Sequence, residues 1–195
     1  MKRQALIERR TRETQIRLTL NLDGRGQSKV HTTIPFLDHM FELLAKHGLF
    51  DLDLRAQGDT HIDDHHLVED LGIALGEAIA KAVGAKKGIH RYGNFLLPMD
   101  ETLSYVALDL SNRPYFVWKV KWVKSDIGRF DGLLLEHFFE SVASSARMNL
   151  HMAIKYGKHP HHLAESLFKG FARALAQAVA IQPRLKGVPS TKGKL

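Results

Sequence analysis

The chain contains one short histidine-rich motif twice. Segment Asp64–Glu69 reads Asp-His-His-Leu-Val-Glu, and segment Pro160–Glu165 reads Pro-His-His-Leu-Ala-Glu. Two further related segments precede them, Leu37–Glu42 and Leu135–Glu140, each with a histidine in third place. The equivalent histidines of the upstream pair (positions 39 and 137) are 98 residues apart, and those of the downstream pair (65 and 161) are 96 apart. This near-constant offset predicts a duplicated half-domain.

Alternation of apolar and polar residues predicts the order β-β-α-β-α in the first half. Asp23-Gly24 is typical of a tight hairpin turn between the first two strands. Asp38 is expected to cap the first helix, and Asp63 or Asp64 the second. The elements are expected at Thr14–Leu22, in a return strand through Ile34, from Asp38 to Gly48, at Phe50–Arg55 and from about His65 to Val83.

The second half repeats this order, which predicts an α+β protein made of two β-β-α-β-α half-domains. We expect one unit with repeats at about 1–90 and about 91–183; two half-domains sharing one core and two independent domains both remain open. Residues 86–98 are expected to link the halves, and residues 184–195 to form a basic tail. The elements are expected at Leu103–Leu110, at Tyr115–Trp122, from Asp131 to about Met148, at Leu150–Tyr156 and from Pro160 to about Ile181.

Composition restricts the chemistry further. The 195 residues include no cysteine, which excludes disulfides, thiolate metal sites and a cysteine nucleophile and fits a reducing cytoplasm. No signal peptide and no run of membrane-spanning length is recognisable, so we expect a soluble cytoplasmic protein without membrane partners. The net charge of +7 favours anionic partners, either phosphorylated small molecules or nucleic acid.

The repeated motif has the geometry of a metal site. Side chains four apart on a helix diverge by about 40° and those three apart by about 60°, so Glu69 shares a face with both His65 and His66. Adjacent histidines diverge by about 100° and therefore suit two ions, one for each ring. The same holds in the second copy. With the upstream histidines, the candidate metal ligands are His39, His65, His66, Glu69, His137, His161, His162 and Glu165.

Six imidazoles and two carboxylates divide into two sites of three histidines and one glutamate. Such a set suits Mn, Fe, Zn or Ni, and open octahedral positions favour Mn or Fe. Core packing alone would preserve the apolar positions in both copies but not the histidines. The repeated histidines therefore favour metal binding. The remaining histidines are expected at the surface or behind a site, with His47 as the exception because it ends the helix that His39 opens.

Several motifs resemble those of the imidazoleglycerol-phosphate dehydratases, the manganese enzymes of histidine biosynthesis. They occur in the family's order along nearly the whole chain, without a departure at a motif position. The matching segments are Thr11–Thr14, Leu22–Gly26, Phe36–Met40, Asp63–Asp70, Arg91–Gly93, Pro98–Glu101, Asp109–Pro114, His161-His162 and Pro189–Gly193.

The resemblance implies a duplicated fold of mixed sheets packed on helices, like domain 2 of ribosomal protein S5. It also implies a homo-oligomer of twenty-four subunits with cubic symmetry and active sites shared between subunits. Two Mn(II) ions per active site are implied, bound by the eight candidate ligands above. Which histidine binds which ion stays open, because pairings of each glutamate with the histidine three or four residues earlier are both possible.

The reaction implied is loss of water from imidazole glycerol phosphate to give imidazole acetol phosphate. A metal ion on the ring favours the imidazolate, which expels the adjacent hydroxyl. By resemblance Glu13 is the general acid–base, with Glu69 and Glu165 also counted as catalytic. Substrate contacts are expected from Glu13, His39, His47, His65, Glu69, Arg91, Arg113, Ser190, Thr191 and Lys192, of which the last five suit the phosphate.

Two other classes of function have weaker support in the sequence. A nucleic-acid-binding module is suggested only by the charge, and the chain lacks a basic stripe with interleaved aromatic residues, so no nucleic-acid partner is expected. A histidine-rich metal-storage shell would need the metal ligands but not the phosphate-binding arginines, Arg91 and Arg113, or the tail with Lys192. Asp100 and Glu101 are interpreted as structural turn residues.

Overall fold

The first half of the chain forms a four-stranded sheet and two helices. The computed structural model describes residues 2–195. The elements are β1 (Gln4–Arg10), β2 (Thr14–Asn21), β3 (Ser28–His31), α1 (Pro35–Gly48), β4 (Asp51–Gly58) and α2 (His65–Val83). The strand order is β1-β2-β4-β3, with β3 parallel to β4 and the other pairs antiparallel.

The second half repeats this arrangement. Its elements are β5 (Tyr92–Met99), β6 (Thr102–Asp109), β7 (Tyr115–Lys119), β8 (Asp126–Ile127), β9 (Phe130–Asp131), α3 (Leu134–Ser145), β10 (Asn149–Tyr156) and α4 (Pro160–Val179). The sheet order β5-β6-β10-β7, with β7 parallel to β10, is that of the first sheet. The predicted α+β class and internal duplication are confirmed. Within residues 2–195, the short β8–β9 hairpin occurs only in the second half.

Each half contains one more leading strand than expected, and the predicted strand partners differ. The hairpin expected at Asp23-Gly24 is wrong, because β2 pairs with β1 and β4 whereas β3 lies parallel to β4 at the sheet edge. Strand β5 occupies most of the predicted link at residues 86–98. Alternation of apolar and polar residues identifies a strand with one buried face, but it does not show which other strand it pairs with.

The starts of α1 and α3 differ from expectation. Helix α3 begins at Leu134 rather than at Asp131, which lies in β9 and accepts the N–H of Leu133 at 2.9 Å. Helix α1 begins at Pro35, and Asp38 is wrong as its cap: its carboxylate accepts hydrogen bonds from the backbone N–H (2.7 Å) and hydroxyl (2.6 Å) of Thr32. Asp63 rather than Asp64 accepts the N–H of His65, at 2.8 Å. Pro160 opens α4 as expected, since a first-turn position needs no N–H donor.

The four helices lie between the two sheets. Helices α1 and α2 pack on the first sheet and α3 and α4 on the second, with α1 against α4 and α2 against α3. The buried apolar residues of both halves form one continuous cluster. Gly88, between the halves, donates its N–H to the carbonyl of Gly187 (2.7 Å), so the tail lies against the link. Among residues 2–195, no helix is long and apolar enough to cross a membrane.

Candidate active site

The packing of α1 against α4 brings three of the predicted metal ligands together. His39 comes from the first half, and His161 and Glu165 from the second. The Oε2 atom of Glu165 lies 2.9 Å from Nε2 of His161 and 3.4 Å from Nε2 of His39. One ligand atom from each residue lies within 4.8 Å of the other two. We call these residues the first cluster.

The packing of α3 against α2 forms the equivalent second cluster, His65, Glu69 and His137. The ring centres of His65 and His137 are 5.1 Å apart, and Nε2 of His65 is 3.9 Å from Oε2 of Glu69. Each cluster therefore combines the upstream histidine of one half with the helix motif of the other. The second cluster is more open, because the Glu69 side chain is 49% exposed and that of Glu165 only 9%.

Both glutamates pair with the histidine four residues earlier, not three. The other histidine of each pair lies outside its cluster and bonds a different carboxylate. Nδ1 of His66 is 3.0 Å from Oδ2 of Asp59, and Nδ1 of His162 is 2.7 Å from Oε2 of Glu101. The hydrogen bond to Asp59 is the largest cause of the raised pKa of His66. The adjacent rings thus diverge, as the helical geometry predicts.

The first cluster has the donor set that a divalent transition metal requires. Two imidazole nitrogens and one carboxylate oxygen can converge on one ion and leave coordination positions open. Burial raises the pKa of Glu165, but hydrogen bonds from Lys169 and His161 outweigh it, so the pKa is below its ordinary value. The carboxylate is therefore ionised at neutral pH, as a ligand must be. Lys169 bonds its Oε1 and leaves Oε2 facing the histidines.

A separate basic cavity of about 590 Å³ contains all five residues expected at the phosphate. Arg91 is fixed there, since it donates to both carboxylate oxygens of Asp109 (2.6 and 3.0 Å) and to the carbonyl of Pro189 (2.9 Å). The bond to Asp109 raises the pKa of Arg91. The Arg113 side chain is 65% exposed and lies 3.9 Å from Asp109. The five expected residues are Arg91, Arg113, Ser190, Thr191 and Lys192.

Glu13 lies in a third place, a cavity of about 390 Å³ beside Asp59 and His61. The Thr11 hydroxyl accepts the N–H groups of Glu13 (3.1 Å) and Thr14 (2.9 Å), which fixes the turn. The lining of this cavity differs entirely from that of the basic one. The metal-ligand clusters, the residues expected at the phosphate and Glu13 therefore lie in separate places within one chain.

His47 faces the second half from the last turn of α1. Burial lowers its pKa below the ordinary value, and Lys169 and Arg173 of α4 lower it further. The ring is therefore neutral at physiological pH. This position is next to α4 rather than within either cluster.

Three polar residues next to the site were not predicted from the sequence. For Asp59 and Lys169 the sequence indicated only a position in a loop and in a helix, although Lys169 follows Glu165 by one helical turn. Lys86 lies behind the basic cavity, where its ammonium donates to Oδ1 of Asn112 at 2.8 Å. A cavity of about 840 Å³ between the starts of α1 and α2 and the β8–β9 hairpin was also not expected; His65, Arg129 and Phe130 are among its lining residues.

The fold and the paired clusters define a duplicated α+β protein with an active site able to hold metal ions. A sequence model of the imidazoleglycerol-phosphate dehydratases matches residues 32–175. The proteins of that name from Geobacillus kaustophilus and Geobacter metallireducens are each 53% identical to the chain over 195 residues, covering all of both sequences.

Solved structures give the same result. The crystal structure of imidazoleglycerol-phosphate dehydratase from Staphylococcus aureus has a TM-score of 0.83 and 36% identity, over 92% of this chain and 99% of that one. The enzyme from Pyrococcus furiosus has a TM-score of 0.84 and 34% identity, over 97% and 100%. The chain belongs to the imidazoleglycerol-phosphate dehydratase family. It is accordingly a hydro-lyase, an enzyme that removes water by breaking a carbon–oxygen bond.

Proposed function

We propose that the chain converts imidazole glycerol phosphate into imidazole acetol phosphate and water, as a cytoplasmic enzyme of histidine biosynthesis. Membership of the family supports the substrate. The observation on which the proposal rests most is the convergence of His39, His161 and Glu165, of which His65, Glu69 and His137 form a looser counterpart. Duplicated ligand sets suit a substrate held between two ions. We assign two Mn(II) ions to each active site.

The ligands of each ion come from more than one subunit in this proposal. Each cluster offers three donors, and His66 and His162 lie outside the clusters with partly exposed rings. Glu13 also lines a different cavity from the basic residues expected at the phosphate. We propose that contacts in a homo-oligomer of twenty-four subunits with cubic symmetry bring these separate groups to one substrate.

When bound, the metal ions supply Lewis-acid stabilisation of the negative charge that develops on the imidazole ring. The chain's own residues do the rest. Arg113 and Lys192 bind the phosphate, and Arg91, already held by Asp109, positions the cavity around it. We assign the proton transfers to the Glu13 side chain. As the acid it would protonate the hydroxyl next to the ring, which leaves as water, and as the resulting carboxylate it would accept the carbon-bound proton. Holding both ends of the substrate keeps these atoms aligned.

Metal removal tests the proposal directly. Chelation followed by dialysis should abolish turnover of imidazole glycerol phosphate, and Mn(II) should restore it in proportion to the metal bound. Mg(II) is the control cation, because it prefers oxygen ligands and should restore little. Full turnover by protein shown to contain no metal would refute the mechanism.

A further inference from the structure

Two histidines outside the clusters are held in the same way by carboxylates. His66 contacts Asp59 through Nδ1, and His162 contacts Glu101 through Nδ1, at 3.0 and 2.7 Å. Within the clusters the situation is reversed, since His39 and His161 present Nε2 to Glu165. The Nδ1 contact is thus a specific arrangement of the second histidine of each pair.

A carboxylate at Nδ1 selects one form of a neutral imidazole. A carboxylate only accepts hydrogen bonds, so the proton lies on Nδ1 and the lone pair on Nε2. Metal-binding histidines commonly use this arrangement, which fixes the tautomer and the ring orientation and raises the basicity of the ligand nitrogen. We infer that Asp59 and Glu101 are positioning residues that hold His66 and His162 with Nε2 free to bind a metal ion. This inference rests on the proposed function, in which both histidines are ligands.

Glu101 is itself anchored to the backbone. Its Oε1 accepts the N–H groups of His159 (2.9 Å) and Lys158 (3.3 Å), in the loop that enters α4. Its Oε2 is left for His162. The carboxylate therefore sets the ring of His162 relative to the start of the helix that also carries the first cluster.

Asp59 is held at the cost of one unsatisfied atom. Among residues 2–195, its Oδ1 is buried without a hydrogen-bond partner, and the contact with His66 is the only hydrogen bond of its side chain. An unpaired buried acceptor costs free energy, so the bond to His66 is the favourable contact of this carboxylate. Its N–H donates to the carbonyl of Glu13 at 3.1 Å, which ties His66 to the turn of the proposed acid–base.

The two carboxylates are not copies of each other. The repeat offset of 96 to 98 residues relates position 59 to positions 155–157, whereas Glu101 lies in the turn between β5 and β6. The halves thus reach the same Nδ1 arrangement from different parts of the fold. Inheritance through the duplication does not account for this agreement, and a shared requirement of the two histidines does.

Mn(II) binding by the full-length protein tests the inference, measured by equilibrium dialysis and by the electron paramagnetic resonance signal of free Mn(II). Asp59→Ala should weaken binding at its ion by about 10- to 100-fold. Asp59→Asn keeps an acceptor and should restore part of the affinity. In Glu101→Gln, Oε1 can still accept the backbone N–H groups, which leaves the amide NH2 group facing Nδ1 of His162. An NH2 group cannot accept the Nδ1 proton, so this variant should weaken Mn(II) binding as Asp59→Ala does. Glu8→Gln is the matched control, since this exposed carboxylate pairs with Arg17 on the first sheet.

The outcomes separate this inference from the proposed function. Unchanged Mn(II) affinity of Asp59→Ala and Glu101→Gln, alongside metal loss in His66→Ala and His162→Ala, overturns the positioning role alone. Retention of all metal by His66→Ala and His162→Ala overturns the ligand assignment itself. The thermal unfolding temperature of metal-free Asp59→Ala should change little, because the variant removes both an unpaired buried oxygen and one hydrogen bond to a partly exposed ring. Should Glu101→Gln fail to fold, the Asp59 variants decide the question.

Discussion

At the scale of single residues, hydrogen bonds of Lys86 and Ser111 fix the loop that contains Arg113. The buried ammonium of Lys86 donates to Oδ1 of Asn112, and the backbone of Asn112 has a left-handed φ of 62°. The Ser111 hydroxyl accepts the N–H of Arg113 at 3.2 Å. These contacts fix the backbone at Arg113 while its side chain remains exposed, which is the arrangement a phosphate-binding arginine needs.

Arg113→Ala should raise KM for the phosphorylated substrate and leave kcat nearly unchanged. The variant loses charge-assisted hydrogen bonds worth about 1.5–3 kcal/mol, which corresponds to about 10- to 100-fold in KM. Arg17→Ala is the matched control, because this exposed arginine pairs with Glu8 far along the first sheet. Steady-state kinetics with both variants provide the measurement. An unchanged KM in Arg113→Ala removes this residue from the phosphate site.

Lys86 should make stability depend on pH in a defined window. Burial lowers its pKa from 10.5 to about 8, although Asp109 opposes the shift; Arg147 and Arg91 add to it. The folded protein therefore loses this proton at lower pH than the unfolded chain, and between pH 8 and 10.5 the unfolded chain binds more protons. Folding stability from this group accordingly rises with pH across that window.

Comparison with Lys86→Met isolates this effect. The free energy of unfolding of the unchanged protein, relative to the variant, should increase as the pH is raised from 8 to 10. Denaturant unfolding at fixed protein concentration and several pH values measures the difference. Parallel pH curves for the two proteins would show that the Lys86 pKa is not lowered by folding.

At the scale of elements, glycines allow α2 to approach α3 closely. A Cβ atom on Gly76 would lie 2.7 Å from the carbonyl oxygen of Val142 and 2.9 Å from the N atom of Ala146. A Cβ on Gly72 would lie 2.5 Å from the carbonyl oxygen of Phe138. At the equivalent positions α4 has Phe168 and Ala172. The crossing that brings His137 to His65 thus depends on two glycines that the other repeat lacks.

Gly76→Ala should lower the free energy of unfolding by about 1–3 kcal/mol, since overpacking against backbone atoms outweighs the better helix propensity of alanine. It should also weaken metal binding at the second cluster by separating α2 from α3. Gly170→Ala is the control, because the nearest atoms to its Cβ belong to side chains rather than backbone, those of Val106 at 3.0 Å and Ser104 at 3.7 Å. Equal stability of the two variants would contradict the close-packing argument. Urea unfolding of metal-free protein measures both.

The elements that sequence patterns missed have identifiable physical causes. Strand β1 contains glutamate and arginines, and only Ala5 within it is buried, so it lacks the alternation of a half-buried strand. Strand β5 contains Pro98 and Gly93, residues typical of turns. Gly93 is required there because a Cβ would lie 1.8 Å from the carbonyl oxygen of Ala174. That requirement comes from α4, which lies far away in the sequence.

At the scale of the whole molecule, the two halves interlock at the clusters. Each cluster draws ligands from both halves, so neither half alone has a complete one. The groups proposed for phosphate binding and proton transfer line separate cavities. Within the proposed oligomer, we expect Glu13 and Arg113 of different subunits to contact the same substrate molecule.

Mixing two impaired variants, assayed at a substrate concentration well below the KM of Arg113→Ala, tests this sharing. Glu13→Gln and Arg113→Ala subunits, dissociated by metal removal and reassembled together with Mn(II), should regain part of the activity, because some sites then combine two intact contributions. Each variant reassembled alone is the control. Activity of the mixture no greater than the sum of the two controls would place both groups in one subunit's contribution to the site.

The sequence by itself determined the α+β class, the duplication and the identity of the candidate ligands, because the spacing of chemically distinctive residues survives in the chain without reference to folding. It also predicted that adjacent histidines diverge, since helical geometry is local. The tertiary structure decided which glutamate faces which histidine, that each cluster crosses the halves, and that Asp59 and Glu101 contact His66 and His162. Those contacts join residues distant in sequence, and only the packing of helices between two sheets brings such residues within bonding distance.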